Sequence, residues 1–377
     1  MNVLFPWKVG QATGWGRYGL GLALALRRLG HGVTLRDGIA SEAGPVLAAP
    51  HLIPRTVPGP SVVLHPVGNT FDPCPRHMVM PQSGFLQVAL IVAEATTLTP
   101  PQIASLRTYD VLLAGCGWFR GVLAEHGLPS YRFPQGVDTL TFAPGRQRPP
   151  RTPNDPFLIF SGGKFEYRKG HDLVLESFKQ LRRRFPEIPA KLVCAWHNAW
   201  PDTIGDLHHT GRLTSLPTFD PETKTWNFAA WLTTQRLDPA DVMVCPPMFP
   251  EQMAAVVREC DAGLFLSRAE GNANMAMAEV LACGIPCLAS GTTGHLEYLT
   301  EPLVTLASTW PTHRVPAGYA GAEGWGEVKP TEIAAYLAAM AKEAPDPSLH
   351  YARDFAETWG WDARAAALCE ILEPMLP

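Results

Sequence analysis

The sequence is short of charge, of paired cysteines and of long apolar runs. Only 18% of the 377 residues are charged and the formal net charge is −4, which favours a compact globular chain. We expect no nucleic-acid partner. The eight cysteines form no C-x-x-C pair, so we expect reduced, mostly buried thiols and neither a disulfide framework nor a zinc site. No apolar run approaches the ~20 residues of a membrane span and no signal-peptide layout is present. We therefore expect a cytoplasmic protein with peripheral membrane association at most.

Short apolar runs alternate with helical stretches along most of the chain. VLFPW, HGVTL, SVVLHPV, VALIVA and YDVLLAG are typical of strands buried on both faces. Residues 141–156, rich in Pro and Arg, indicate a linker, and the alternation restarts with FLIFSGG. The sequence thus predicts an α/β protein with two doubly wound, Rossmann-like domains and a cleft between them. Residues 197–235 look like an insertion with little regular structure.

The stretch GWGRYG, residues 14–19, matches G-x-G-x-x-G and raises the possibility of a dinucleotide enzyme with Asp37 on the ribose. However, six residues, KVGQAT, separate the first strand from Gly14, whereas a dinucleotide fold needs a tight turn there. Gly14 and Gly16 still suit close approach of an anion or a sugar to the backbone. A loop that simply needs positive φ is the alternative, and this stretch alone does not decide between them.

The segment SRAEGNANMAMAEVLACGIPCLAS, from Ser267, resembles the donor-site signature of the retaining glycosyltransferases of family 4, the glycogen synthase-like and group 1 enzymes. SGGKFEYRKGHDLVLESF, FPQGVDTLTFAP and the first loop and helix resemble three further phrases of that family, in the same order. The resemblance implies the GT-B fold. It places an acceptor-binding domain at 1–145 and a donor-binding domain at 155–354, with a C-terminal helix at about 355–377 packing back on the first domain.

The resemblance also assigns residues. Lys164 and Lys169 would stabilise the charge that develops on the leaving diphosphate, with lysine standing at 164 where the family commonly has arginine. Glu270 would contact the donor sugar and Glu279 the ribose, although eight residues separate them here and seven is usual. The implied catalytic residues are Glu270, Lys169 and Lys164. The implied donor-binding residues are Gly14, Gly16, Gly163, Lys164, Lys169, Glu270, Gly271, Asn272, Ala273, Asn274, Met275 and Glu279.

The implied reaction is front-face transfer of a hexose-type sugar from a UDP- or GDP-sugar, with retention and with neither a metal nor another cofactor. Glu94 is a candidate acceptor contact or a helix cap, and His65 an acceptor contact or a satisfied structural histidine. His295 and Glu297 follow a strand where donor contacts are common in the family. By contrast, Arg168 and the run 182–184 are predicted on a solvated helix face.

Two other functions remain open at this stage. A nucleotide-sugar epimerase of the same fold would need further catalytic acids and bases, and a non-catalytic two-domain binding protein would need none. The sequence does not indicate the nucleotide base, the sugar, the acceptor, the oligomeric state or the role of the tryptophans in 197–235.

Overall fold

The computed structural model describes residues 1–40, 61–71, 85–146, 151–152, 154–198, 200–223, 225–312, 315–316, 321–343 and 349–376. The chain divides into two compact units. The first unit comprises Met1–Leu140, Gly271–Ala278 and Arg353–Pro377, and the second comprises Thr141–Glu270 and Glu279–Ala352. Assignment of residues 271–278 to the first unit is a feature that no sequence pattern indicated. Within the described ranges, no helix combines the length and apolar character that crossing a membrane requires.

The first unit is built on one parallel sheet. Its elements, in chain order, are β1 (Asn2–Phe5), α1 (Gly14–Arg28), β2 (Gly32–Leu35), β3 (Val62–Val67), β4 (Leu86–Ile91), α2 (Pro100–Leu106), β5 (Val111–Ala114), α3 (Gly117–Glu125) and β6 (Tyr131–Arg132). The strand order is β2-β1-β3-β4-β5-β6, and all neighbours are parallel. The five strands read from the sequence are therefore present. The order reverses between β1 and β3, and such a reversal opens a crevice at the carboxyl ends of the strands.

The second unit contains another parallel sheet. Its elements are β7 (Phe157–Lys164), α4 (His171–Arg184), β8 (Ala190–His197), β9 (Phe219–Asp220), β10 (Thr225–Trp226), α5 (Phe228–Thr234), β11 (Val242–Val244), α6 (Pro250–Arg258), β12 (Ala262–Phe265), α7 (Met275–Ala282), β13 (Cys287–Ser290), β14 (Val304–Ala307), β15 (Trp310–Pro311), β16 (Gly326–Glu327) and α8 (Pro330–Lys342). Helix α7 begins in the 271–278 segment of the first unit. The six-stranded order is β11-β8-β7-β12-β13-β14, again parallel throughout. Here the order reverses between β7 and β12.

Two helices end the chain, α9 (Leu349–Trp359) and α10 (Trp361–Leu372). Helix α10 lies against α1, and both belong to the core of the first unit. Trp361 is the main contact, since its ring centroid is 5.4 Å from that of Tyr18 and both side chains are buried. Burial of aromatic surface of this size is a major source of stability. The C-terminal helix α10 therefore packs in the core of the first unit.

The 197–235 segment has more regular structure than the sequence indicated. It holds a 3-10 helix over Pro201–Thr210, the β9–β10 hairpin and α5. Two of its tryptophans hold it together, because the Trp226 and Trp231 indole N–H groups donate to the backbone oxygens of Asn198 and Ser215 at 2.8 Å. The expectation of little regular structure was wrong. Aromatic side chains pack this segment together, and they do not recur at the regular spacing from which a helix or a strand is predicted.

Candidate active site

Three of the predicted residues meet at the reversal point of the second sheet. Lys164 is the last residue of β7, Lys169 ends a 3-10 turn that follows it, and Glu270 lies in the loop after β12. Strands β7 and β12 are neighbours in the sheet, so their carboxyl ends bring the three residues to one edge. This is the position at which open α/β sheets bind ligands.

Glu270 is a buried carboxylate held by two cations. Its Oε1 lies 2.7 Å and its Oε2 2.9 Å from Lys169 Nζ, and Oε2 also accepts from Arg168 Nη1 at 2.9 Å. Burial by itself raises the pKa of Glu270, but Lys169 and Arg168 outweigh it and lower that pKa to about 2. Glu270 is therefore ionised at every physiological pH.

A second carboxylate extends the cluster. Glu166 lies 2.9 Å from Lys164 Nζ and 2.7 Å from Arg168 Nη2. Burial raises the pKa of Glu166, yet Arg168 and Lys164 shift it below its ordinary value overall. The cluster, which we call the cation cluster, thus alternates Lys164, Glu166, Arg168, Glu270 and Lys169. The prediction that Arg168 lies on a solvated helix face was wrong, because its side chain is only 14% exposed and links the two acids.

Backbone geometry at Gly170 directs both cations at Glu270. The 3-10 turn Tyr167–Lys169 ends at Gly170, whose φ is +66°. A Cβ atom at Gly170 would lie 2.0 Å from the carbonyl oxygen of Leu266, so only glycine allows the turn to lie against the loop after β12. Earlier in the same connection, Gly163 sits in β7 at φ +128°.

Below this turn lies a buried ion network that no motif indicated. Arg268 is fully buried and forms a bidentate pair with Asp172 at 2.9 and 2.7 Å. It also donates to Glu327 at 2.7 Å and to the backbone oxygen of Tyr167 at 2.6 Å. Arg212 of the 197–235 segment reaches Glu327 at 2.9 Å. Because it joins α4, β16 and the 3-10 turn, Arg268 fixes the loop that carries Glu270.

The loops after β12 and β13 supply further neighbours of Glu270. Ser267 Oγ donates to Glu270 Oε1 at 2.5 Å, and the Glu270 N–H donates to Thr293 Oγ1 at 2.8 Å. Thr293 has a φ of +47°, which is uncommon for a β-branched residue. The next N–H, that of Gly294, donates to the Glu270 carbonyl at 3.0 Å. The N–H and the carbonyl of Glu270 are thus both hydrogen-bonded by two consecutive residues, Thr293 and Gly294.

His295 faces the same carboxylate. Its Nε2 lies 4.0 Å from Glu270 Oε1, and its Nδ1 lies 3.0 Å from the Ser290 carbonyl oxygen. Because a carbonyl only accepts, we assign the imidazole proton to Nδ1. Burial lowers the pKa of His295 to about 4, against the opposing effect of Glu270, so the ring is neutral at pH 7. Glu297, the other candidate in this loop, is half-buried.

Glu279, the second carboxylate of the signature, lies within α7 and is buried. Helix α7 begins at Met275, and Asn274 Oδ1 accepts from the Met277 N–H at 3.4 Å. Asn274 therefore acts as the cap of this helix. The extra residue between Glu270 and Glu279 falls in this loop and first turn, and the donor contacts assigned to the loop stay a prediction.

In the first unit, the 271–278 segment contacts the strand ends. Gly271 N–H donates to Glu94 Oε1 at 3.2 Å, while Gln135 donates from its backbone N–H to Asn272 Oδ1 at 3.0 Å and from Nε2 to the Ala273 carbonyl at 2.7 Å. Glu94 also accepts from Asn69 Nδ2. The helix-cap alternative for Glu94 was wrong, since α2 begins after Thr99. Glu94 instead holds the N–H of Gly271.

The other predicted site residues of the first unit are Gly14, Gly16 and His65. Gly14 is the first residue of α1, and the Gly16 N–H donates to the capping Thr13 Oγ1 at 3.1 Å. A Cβ atom on Gly16 would lie 3.0 Å from the Gly10 carbonyl oxygen, so this glycine permits close approach of two loop segments. His65 Nε2 lies 2.8 Å from Gln87 Oε1, as a satisfied structural histidine would, and burial lowers its pKa.

Comparison with known proteins reveals likeness in structure alone. No family model matches the chain, and no curated protein matches its sequence. Sucrose-phosphate synthase from Thermosynechococcus elongatus superposes with a TM-score of 0.61 at 14% identity over 100% of this chain and 99% of its own. An Escherichia coli protein solved with UDP-2-fluoroglucose, described as trehalose-6-phosphate, gives 0.62 at 12% over 100% of both chains. Anabaena HepE in complex with UDP gives 0.59 at 14% over 99% and 100%.

These neighbours define the class of fold. The two parallel six-stranded sheets of this chain match the GT-B architecture with two Rossmann-like domains, so the predicted fold class is confirmed. At 12–14% identity the likeness establishes the fold, and a fold by itself does not establish an activity.

Proposed function

We propose that this protein is a retaining glycosyltransferase of family 4, which moves a hexose-type sugar from a nucleoside-diphosphate sugar to an acceptor hydroxyl. The observation that carries the proposal is the cation cluster at the reversal point of the second sheet. Arg168 and Lys169 contact Glu270 there, and Lys164 contacts Glu166 beside them. Fixed cations at such a position suit a diphosphate, and a buried carboxylate beside them suits sugar hydroxyls.

Donor binding would redistribute the partners within the cluster. Lys169 and Arg168 now neutralise Glu270, and the phosphates of a donor would take over part of these contacts. The Glu270 oxygens would then accept from hydroxyl groups of the sugar. Glu279 would contact the ribose, and Gly163, Gly271, Asn272, Ala273, Asn274 and Met275 would line the donor, as the sequence signature implies.

In the proposed reaction the bond between the anomeric carbon and the phosphate oxygen breaks, and the acceptor oxygen bonds to the same face of that carbon. The acceptor proton passes to the leaving phosphate oxygen. Charge grows on the diphosphate as the bond breaks, so Lys164, Arg168 and Lys169 stabilise the transition state more than the ground state. On this account the three side chains supply the charge that a metal ion supplies in other transferases, and catalysis is metal-independent.

Three structures of one neighbour support the choice of donor. The Anabaena HepE structures hold UDP, and UDP with glucose, and a further one holds UDP-glucose. We therefore propose a UDP-sugar first and a GDP-sugar second. Glu94, at the strand ends of the first unit, remains our proposed acceptor contact, and His65 follows it. We propose action in the cytoplasm, with membrane association peripheral at most.

A donor screen with matched variants tests the proposal. UDP-, GDP-, ADP- and TDP-sugars are added to the full chain, and the shift in melting temperature and the slow release of nucleoside diphosphate are recorded. We expect one class of donor to raise the melting temperature and to be hydrolysed. Lys169→Ala should abolish both effects, whereas Lys191→Ala, an exposed lysine on β8, should retain them.

The alternatives give different outcomes in the same screen. Conversion of the donor to an epimer would identify an epimerase, and a thermal shift without any turnover would indicate a binding protein. Near-normal turnover by Lys169→Ala would overturn the assignment of the site. Once an acceptor is found, NMR of the product's anomeric proton decides between retention and inversion.

A further inference from the structure

A group of metal-binding side chain types lies in the first unit and shares no residue with the cation cluster. His31 follows α1 and directly precedes β2, Cys369 lies in the last turn of α10, and Glu373 begins the 3-10 turn after α10. Cys369 and Glu373 are four positions apart, so they share one face of this helical segment. Packing of α10 against α1 brings that face to His31.

The three ligand atoms are already close together. Cys369 Sγ lies 3.1 Å from His31 Nε2, Glu373 Oε1 lies 3.9 Å from the same nitrogen, and all three atoms are within 4.8 Å of one another. The Met1 amino group lies 3.2 Å from His31 Nδ1. With a metal on Nε2 the remaining imidazole proton lies on Nδ1, so the amino group would accept it as a neutral amine.

We propose that His31, Cys369 and Glu373 bind a zinc-type divalent ion, with water in the fourth position. A thiolate with an imidazole is the ligand combination that favours zinc over magnesium or calcium. Tetrahedral zinc holds such ligand atoms about 3.4–3.6 Å apart, given its bond lengths of ~2.0–2.3 Å. The sulfur and nitrogen must therefore separate by about 0.5 Å, and the carboxylate must approach by a similar distance. The Glu373 side chain is 51% exposed and can make that movement.

The burial of Cys369 favours a specific ion-binding site over a nonspecific ion contact at the protein surface. Cys369 is buried, His31 is half-buried and Glu373 is exposed, so the ion would enter from the carboxylate side and be held by the thiolate. The cysteine spacing could not indicate this site, since Cys369 and His31 are 338 positions apart in the chain. A bound ion would link α10 to the start of β2, because Cys369 in α10 and His31 directly before β2 would both be its ligands.

Titration of the full, chelator-stripped chain with Co²⁺ alone, and then with Zn²⁺ in competition, tests the proposal. We expect one equivalent of Co²⁺ with a thiolate-to-cobalt charge-transfer band, displaced by one equivalent of Zn²⁺. We also expect Zn²⁺ to raise the melting temperature of the chain.

Three variants and a control assign the ligands. Cys369→Ser should remove the charge-transfer band, and Cys369→Ser, His31→Gln and Glu373→Gln should each weaken binding by at least the ~10–100-fold that loss of an outer-shell partner costs. Glu370→Gln is the matched control, because Glu370 is an exposed neighbour of Cys369 on the same helix, and it should bind as the wild type does. Circular dichroism verifies folding, and Glu373→Gln changes a side chain that is exposed.

Binding of less than ~0.1 equivalent by the wild type would overturn the proposal. One equivalent that persists unchanged in Cys369→Ser and Glu373→Gln would also overturn it, since the ion would then be elsewhere. Neither result bears on the cation cluster, whose residues belong to the second unit.

Discussion

Thr293 gives the sharpest single test of how Glu270 is held. Its φ of +47° costs about 1–3 kcal/mol for a residue other than glycine, and its Oγ1 accepts from the Glu270 N–H at 2.8 Å. The strained backbone of Thr293 thus occurs together with a hydrogen bond to the backbone of Glu270. We infer that Thr293 is a positioning residue.

Two substitutions separate the strain from the hydrogen bond. Thr293→Val keeps the shape and the strain but removes the acceptor, so the buried N–H of Glu270 loses it at a cost of about 1–3 kcal/mol. Thr293→Gly also removes the acceptor, but it relieves strain of about 1–3 kcal/mol and adds chain entropy of about 0.5–1 kcal/mol to the unfolded state. The valine variant should therefore be destabilised by about 1–3 kcal/mol. The glycine variant should be destabilised by less, because the relieved strain of about 1–3 kcal/mol outweighs the added chain entropy of about 0.5–1 kcal/mol.

The assay has two readouts. Chemical denaturation at pH 7 gives the order of stability. In thermal unfolding, the melting temperature should fall by ~2–4 °C per kcal/mol for a unit of this size. Donor-induced thermal shift should be reduced in both variants, because Glu270 loses a backbone restraint in each. The reasoning is refuted if Thr293→Val is within ~0.5 kcal/mol of the wild type, or if the glycine variant is the less stable of the two.

The remaining predictions concern acid stability and one backbone position. Burial lowers the pKa of His295 to about 4 from 6.5, so the unfolded chain takes up a proton between these values while the folded chain does not. Stability should therefore fall as the pH drops from 6.5 to 4, by up to about 3 kcal/mol from this residue, and denaturation of His295→Gln across that range should show a shallower fall. A slope equal to that of the wild type would contradict the assignment. Gly170→Ala should destabilise the chain by at least about 3 kcal/mol, because its φ is positive and its Cβ would meet the Leu266 carbonyl. Gly205→Ala, where nothing lies within 4 Å of the added Cβ, is the control and should leave the melting temperature unchanged.

Local patterns were sufficient for much of the fold. The strands of both sheets are continuous apolar runs such as VLLA in β5 and CLAS in β13, and such runs are typical of parallel strands covered on both faces. The reversal points follow from strand order, and the glycine-rich and acidic phrases lie directly after strands. Lys169 and Glu270 were selected through the resemblance of these phrases to a glycosyltransferase signature, and their direct contact was not predicted.

Long-range partners explain what the sequence did not reveal. Arg168 read as one basic residue among several, and only the 3-10 turn shows that it reaches Glu270. Arg268 pairs with Asp172, 96 positions away, and no spacing rule links them. Gly271 contacts Glu94, and Asn272 contacts Gln135, both in the first unit. Such contacts depend on packing between distant segments, which a local period does not encode.

The central claim is that the cation cluster binds an activated sugar. A crystal structure of the chain soaked with the nucleotide sugar that gives the largest thermal shift is the most direct test. We expect phosphate oxygens within hydrogen-bond distance of Lys169 Nζ and a sugar hydroxyl that donates to Glu270. A nucleotide bound elsewhere, with the Lys169–Glu270 contact of 2.7 Å unchanged, would contradict it.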